Sequence, residues 1–155
     1  MKLILAVVGR LRPCYRLAAD EYLERIRRFW PLEEREVREA GRVGNEIAQR
    51  RAEGALLREA VPTGATIVAL DLGGTPWSSE GLARRVSHWR DTGRTVGLLI
   101  GGAVGLEPAL LTDAEERWSL GPLTLPHELA RVVVLEQLYR AGTILAGLPY
   151  HKGRS

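Results

Sequence analysis

The sequence predicts an α/β protein, a mostly parallel sheet with helices on both faces. Three observations predict it. Short β-prone apolar runs at residues 2–8, 66–70 and 95–100 alternate along the chain with longer stretches of helical period. The first of these runs is apolar nearly throughout, as in strands buried on both faces. Two glycine-rich loops follow the ends of such runs, where ligands gather in open α/β sheets.

Residues 2–8 form the first strand. Tyr15, Ala19, Tyr22, Ile26 and Phe29 then recur at steps of four, three, four and three, one apolar stripe on a helix that Pro31 closes. Residues 32–39 alternate weakly and read as a strand. Gly41 and Gly44 punctuate the chain before a second helix, capped at Asn45 and running to Ala60. Gly54 inside it costs about 1 kcal/mol relative to Ala, which points to close packing or to a local break. TIVAL at 66–70 is the next strand, ending at Asp71. LGGTPWSS is its loop, and Ser79 caps a helix through about Trp89. Residues 95–100 form a further strand and deliver Gly101 and Gly102. Glu107-Pro108 opens a short helix, WSLGPLTL follows at 118–125, and Pro126 starts a long helix to about Ala146. With no repeat, linker or low-complexity tract, residues 1–155 are expected to form a single domain.

Composition narrows the function classes. Twenty-two Lys and Arg against nineteen Asp and Glu give a formal charge of +3, compatible with a polyanionic partner but too small to demonstrate one. Cys14 is the lone cysteine, which excludes an intramolecular disulfide, and His88, His127 and His151 stand too far apart in sequence to suggest a metal site. No apolar stretch approaches the roughly 20 residues needed to cross a bilayer, so no membrane partner and a cytoplasmic setting are expected. The six-residue apolar run in MKLILAVVGR reads as a strand and not as a leader.

LLIGGAVGL at 98–106 asks for bare backbone at Gly101 and Gly102, either for a tight turn or for a ligand lying close to the main chain. It is not a P-loop, since no Lys follows Gly105, and its spacing is not that of a dinucleotide fingerprint.

Taken together, AVVGRL, EYLERI, AEGALL, VALDLGGTPWSSEGLA, LLIGGAVGL and LTLPHELARVVVLEQLYRAGTILAGLPYHK resemble the ribosomal RNA large subunit methyltransferase H group. These are small SPOUT-class enzymes that methylate N3 of a pseudouridine in large-subunit rRNA. The resemblance spans essentially the whole chain. It implies a C-terminal trefoil knot that holds S-adenosylmethionine in a bent shape between three loops. The cofactor-binding residues it implies are Leu70, Gly101, Gly102, Leu120, Gly121, Pro122, Leu123, Thr124 and Leu125.

The resemblance further implies catalytic roles for Tyr150, His151, Arg140 and His127. Tyr150 would stack or orient the base, His151 would handle the proton or contact phosphate, and Arg140 would bind an anion or phosphate. Arg10, Arg12, Arg16, Lys152 and Arg154 are the expected RNA phosphate contacts. The implied partners are large-subunit rRNA on an assembled 70S ribosome and a second copy of the chain, whose tail completes the cofactor site; no metal is implied. Departures from the family pattern are Ala103-Val104, Gly121-Pro122, and Gly142 where relatives often have a bulky aromatic. Two other readings remain open at this point: a non-catalytic ribosome-assembly or RNA-binding module, and a SPOUT enzyme that methylates a ribose hydroxyl.

Overall fold

The computed structural model describes residues 1–41 and 44–152, apart from the side chain of His151. Five strands, β1 (Lys2–Val8), β2 (Leu32–Val37), β3 (Thr66–Pro76), β4 (Thr95–Ile100) and β5 (Glu116–Ser119), form one sheet. Its order is β2-β1-β4-β3-β5, and every pairing is parallel. The helices are α1 (Pro13–Ile26), α2 (Glu46–Ala60), α3 (Ser79–Asp91), α4 (Pro108–Asp113) and α5 (His127–Leu145), with a 3-10 turn at Pro149–Lys152.

Side-chain alternation along β1 divides the core. Leu3, Leu5 and Val7 face α1, α3 and α5, whereas Ile4, Ala6 and Val8 face α2 and α4. All six are buried, as the unbroken apolar run predicts. A buried side chain of the Leu or Val class contributes about 1.5–3 kcal/mol, so β1 anchors both layers.

The local signals hold at several ends. The Asn45 side chain accepts from the Ala48 amide at 2.9 Å and caps α2. The cap of α3 is one residue earlier than expected: the Ser78 hydroxyl accepts from the Gly81 amide at 3.0 Å, while Ser79 donates to Gln137 at 2.6 Å. Helix α1 ends at Ile26, before Pro31. Its last turn tightens, with the Phe29 amide bonded to the Ile26 carbonyl at 2.9 Å. Gly54 leaves α2 unbroken, so of the two readings close packing is the right one.

Two corrections concern the sheet. The third strand does not stop at Asp71. Leu70 and Thr75 both lie opposite Trp118, so residues 71–74 bulge out and the strand resumes through Pro76. Gly74 makes this possible, since a Cβ there would stand 2.6 Å from the Arg117 carbonyl oxygen. The second correction is β5, which the sequence reading left unassigned: at four residues it is too short to show a period.

Candidate functional site

A pocket opens at the C-terminal ends of β3 and β5, lined by Leu70, Asp71, Leu72, Leu120, Gly121, Leu123, Thr124, Leu125 and Ala130. Its second wall is the loop between β5 and α5. Gly121 sits at φ +115°, a backbone region that favours glycine. The Ser119 hydroxyl accepts from the Gly121 amide at 3.1 Å and donates to the Gly121 carbonyl at 3.3 Å, which fixes the turn. Beneath the loop, buried Trp118 stacks on Trp77 at 5.2 Å and 9°. The Arg85 guanidinium lies over the Trp77 ring at 4.0 Å and pairs with Glu116 at 2.7 Å. On the first wall, Arg117 holds Asp71 in an ion pair.

The lining is leucine-rich, with exposed backbone, one hydroxyl, one carboxylate and no cationic side chain. Such a surface suits a flat heterocycle joined to a positively charged centre, and it suits a polyphosphate poorly. The residues present therefore fit S-adenosylmethionine.

Of the nine residues expected to bind cofactor, Leu70, Leu120, Gly121, Leu123, Thr124 and Leu125 line this pocket, and Pro122 is exposed between them. Gly101 and Gly102 stand outside the lining. Ala69 with Leu99 is the last pair of β3 on β4, and two residues beyond it lie Asp71 on one segment and Gly101 on the other. A Cβ on Gly101 would stand 2.7 Å from the Gly105 carbonyl carbon, and one on Gly102 would stand 3.0 Å from Val8 Cγ1. The bare backbone thus lets the loop close on itself, with the Gly105 amide donating to the Gly102 carbonyl at 3.1 Å. Asp71, Leu72 and Ala130 were not among the expected binders. Leu72, exposed within a glycine-rich strand-end loop, was the visible signal for the bulge that carries it.

A second cluster gathers two of the expected catalytic residues. Arg140 donates to Glu136 Oε1 at 2.6 Å, the Tyr150 hydroxyl donates to the same oxygen at 3.1 Å, and the guanidinium lies 4.9 Å from the Tyr150 ring centre. Tyr139 meets Tyr150 edge-on at 4.7 Å. Burial pushes the Tyr150 phenol above its ordinary range, assisted by a hydrogen bond with Tyr22 and by the Glu136 carboxylate. Tyr150 is therefore a neutral hydrogen-bond donor at working pH and not a phenolate base. Glu136 raises the pKa of Arg140 further and keeps it charged. The sequence reading missed Glu136, although its spacing four residues before Arg140 is a helix-pair signal.

Along α5, Arg140 lies ten residues from pocket-lining Ala130, about 15 Å at helical rise, and Glu136 six residues, about 9 Å. His127 begins α5 at the pocket end, and the His151 side chain is outside the described residues.

The expected RNA contacts are unequal. Arg10 and Lys152 are exposed and pair with no acid among the described residues. Arg12, also exposed, pairs with Glu128 at 2.9 Å. Arg16 is engaged by Glu34 through two nitrogens at 2.6 and 2.7 Å, so its guanidinium is occupied. Arg154 lies outside the described residues. Arg131, which sequence alone did not single out, is 1% exposed and donates to Glu36 at 2.6 Å and to the Gly9 carbonyl at 2.8 Å. Among the described residues there is no group of three or more acidic, His or Cys side chains that could hold a metal ion, and no helix long and apolar enough to cross a membrane.

A family model described as "Predicted SPOUT methyltransferase" matches residues 1–151. The chain is 48% identical over 134 residues to a protein of Xanthomonas oryzae pv. oryzae named ribosomal RNA large subunit methyltransferase H, covering 85% of this chain and 86% of that one. A protein of the same name from Chromohalobacter salexigens is 44% identical over 155 residues, covering 98% of this chain and 100% of that one. Among solved structures, a probable methyltransferase from Bordetella pertussis superposes with a TM-score of 0.56 at 18% identity, over 90% of this chain and 95% of that one. A probable methylase family protein from Haemophilus influenzae gives 0.59 at 12% identity, over 99% and 71%. The fold so shared is α/β with helices on both faces of a parallel sheet, and its defining feature is the C-terminal trefoil knot. With a leucine-walled, cation-free pocket at the strand ends and a family match over nearly its whole length, the chain belongs to the SPOUT methyltransferases.

Proposed function

We infer that the protein is an S-adenosylmethionine-dependent methyltransferase acting on N3 of a pseudouridine in 23S rRNA. We further propose that it works in the cytoplasm as a homodimer on the assembled 70S ribosome. The observation that carries the reading is the match, over nearly full length, to relatives named for large-subunit rRNA methylation, in a chain whose pocket is built for a flat cationic donor.

S-adenosylmethionine, when bound, supplies a methyl group already activated on a positively charged sulfur. The chain's own task is alignment. Leu70, Leu120, Leu123 and Leu125 offer apolar walls for a planar base, and backbone groups between Leu120 and Leu125 offer the hydrogen bonds that orient it. Asp71, held by Arg117, places a carboxylate in the lining where it favours a cation.

The nucleophile is an imide nitrogen that must lose a proton. A base within hydrogen-bond reach or a cation beside the forming anion meets that requirement. Arg140, charged and only part-buried, is the cation; Tyr150, protonated, stacks on or orients the base; His127 and His151 are the proton-handling candidates. Within one chain Arg140 and Tyr150 stand too far from the donor pocket to act on it. A second copy would bring its tail to that pocket, and exposed Leu72 and Leu123 at the rim give that copy an apolar seat. Arg10, Arg12 and Lys152 are left to meet phosphate, with bases splayed onto Tyr150.

The test incubates the protein and labelled S-adenosylmethionine with 70S ribosomes that lack the modification, then identifies the labelled nucleoside by mass spectrometry. N3-methylpseudouridine supports the reading. A ribose methyl, or ribosome binding without label transfer, overturns it.

A further inference from the structure

The glycine loop at residues 101–106 follows β4, the strand beside the β3 that lines the donor pocket, and it is contacted by a helix that lines no part of that pocket. Three residues from neighbouring turns of α2 grip it in succession. Glu53 lies under its start: the carboxylate is 2% exposed, and Oε1 stands 3.7 Å from where a Cβ on Gly102 would be. Arg50 holds its middle, donating from Nη1 to the Val104 carbonyl at 3.4 Å. Gly54 receives its exit, because a Cβ there would overlap Glu107 Oε2 and stand 3.3 Å from Glu107 Cβ.

The grip is made with groups that are not fully satisfied. Glu53 Oε2 accepts from the Ala40 amide at 3.3 Å and from Gln49 Nε2 at 3.4 Å, but among the described residues buried Oε1 has no partner, and neither has buried Arg50 Nε. An unpartnered buried carboxylate oxygen works against folding, so stability does not explain its presence. Its location does. The loop it supports closes through the Gly102 carbonyl and the Gly105 amide, and it leaves β4 two residues after the Ala69–Leu99 pair, as β3 runs two residues past the same pair to Asp71 in the pocket wall.

We propose that Glu53, with Arg50 and Gly54, positions the glycine loop and through it the first wall of the methyl-donor pocket. Glu53 is thus a positioning residue for donor binding without touching the donor. The proposal rests on the reading of the pocket as the S-adenosylmethionine site.

The experiment measures S-adenosylmethionine affinity by titration calorimetry on the full chain, alongside thermal unfolding, for wild type, Glu53→Met, Glu53→Gln and Arg50→Met. Glu53→Met keeps the side chain's length and removes its charge and acceptors. It should fold with a melting temperature near wild type and bind the donor at least about tenfold more weakly. Glu53→Gln keeps an acceptor for Ala40 and should stay within about threefold of wild type. A role in folding alone would lower the melting temperature and leave the affinity untouched. Wild-type affinity in folded Glu53→Met overturns the proposal; should that variant fail to fold, wild-type affinity in Arg50→Met overturns it instead. If wild type itself binds no donor, the pocket reading fails and carries this inference down with it. Normal binding in every variant defeats the inference alone.

Discussion

Gly142 on α5 shows how one missing side chain is answered by another. A Cβ at this position would stand 2.7 Å from Phe29 Cγ, so the Phe29 ring fills the volume that a bulky aromatic at residue 142 would take. Phe29 in turn packs against Trp30 at 5.7 Å and Tyr139 at 6.0 Å, in the turn after α1. Gly142→Ala should therefore destabilise the fold by about 1–3 kcal/mol through overpacking, read as a lower urea midpoint at an unchanged slope. Adding Phe29→Leu to that variant should restore part of the loss, because the two positions share one space. Tyr150 makes a different prediction. Its phenol is held protonated and aimed at Glu136, so under the proposed function its ring and not its ionisation would serve the reaction. Tyr150→Phe should keep turnover within about threefold of wild type, whereas Tyr150→Ala should lose about a hundredfold in single-turnover assays on ribosomes.

Among elements, α5 matters most, because its first turn lines the donor pocket while its last turns carry the tail cluster. That first turn is stapled to the loop before α1. The Arg12 amide donates to Glu128 Oε2 at 2.7 Å and its Nε donates to Oε1 at 2.9 Å. The amide bond and the guanidinium together hold the Glu128 carboxyl below its usual range, and a negative charge in a helix's first turn is favourable in itself. A carboxylate whose folded pKa is lowered adds stability above its unfolded value, near 4.3, and loses it as pH falls through the folded one. The melting temperature of Glu128→Gln should thus lie a little below wild type at pH 7, and scanning calorimetry should show that gap closing on acidification below about pH 4. Elements also decide what the sequence could show. β1, β4 and α2 were legible because long apolar runs and a capping Asn act within one segment. The bulge in β3 and the four-residue β5 were not, since each exists through its neighbour: Gly74 lies against the backbone of Arg117, and Trp118 faces both Leu70 and Thr75. The site divides the same way. The 120–125 loop was readable from its motif, while Asp71, Ala130 and the α2 support beneath Gly102 come together only when distant segments pack.

At the scale of the whole molecule, the two halves of the proposed site are set apart along α5 within one copy. Ala130 in the first turn of α5 lines the donor pocket, and the Glu136–Arg140–Tyr150 cluster runs from the middle of the same helix to the turn that follows it. A helix of 19 residues has no hinge that would bring its own ends together, and the proposed homodimer would complete the centre with the tail of a second copy. Complementation tests this directly. One chain carries Gly121→Val, which puts a β-branched side chain at φ +115° and should spoil the donor loop; the other carries Arg140→Ala, which leaves the donor loop intact. Each homodimer should be inactive. Refolded together at equal amounts, about half the dimers should be mixed, and each mixed dimer joins one sound pocket to one sound tail while the opposite site carries both defects. Methyl transfer to ribosomes should then return to about a quarter of the wild-type level, far above the sum of the separate variants. If pocket and cluster instead served one another within a single chain, no mixture could restore either, and activity would stay at the level of the two homodimers.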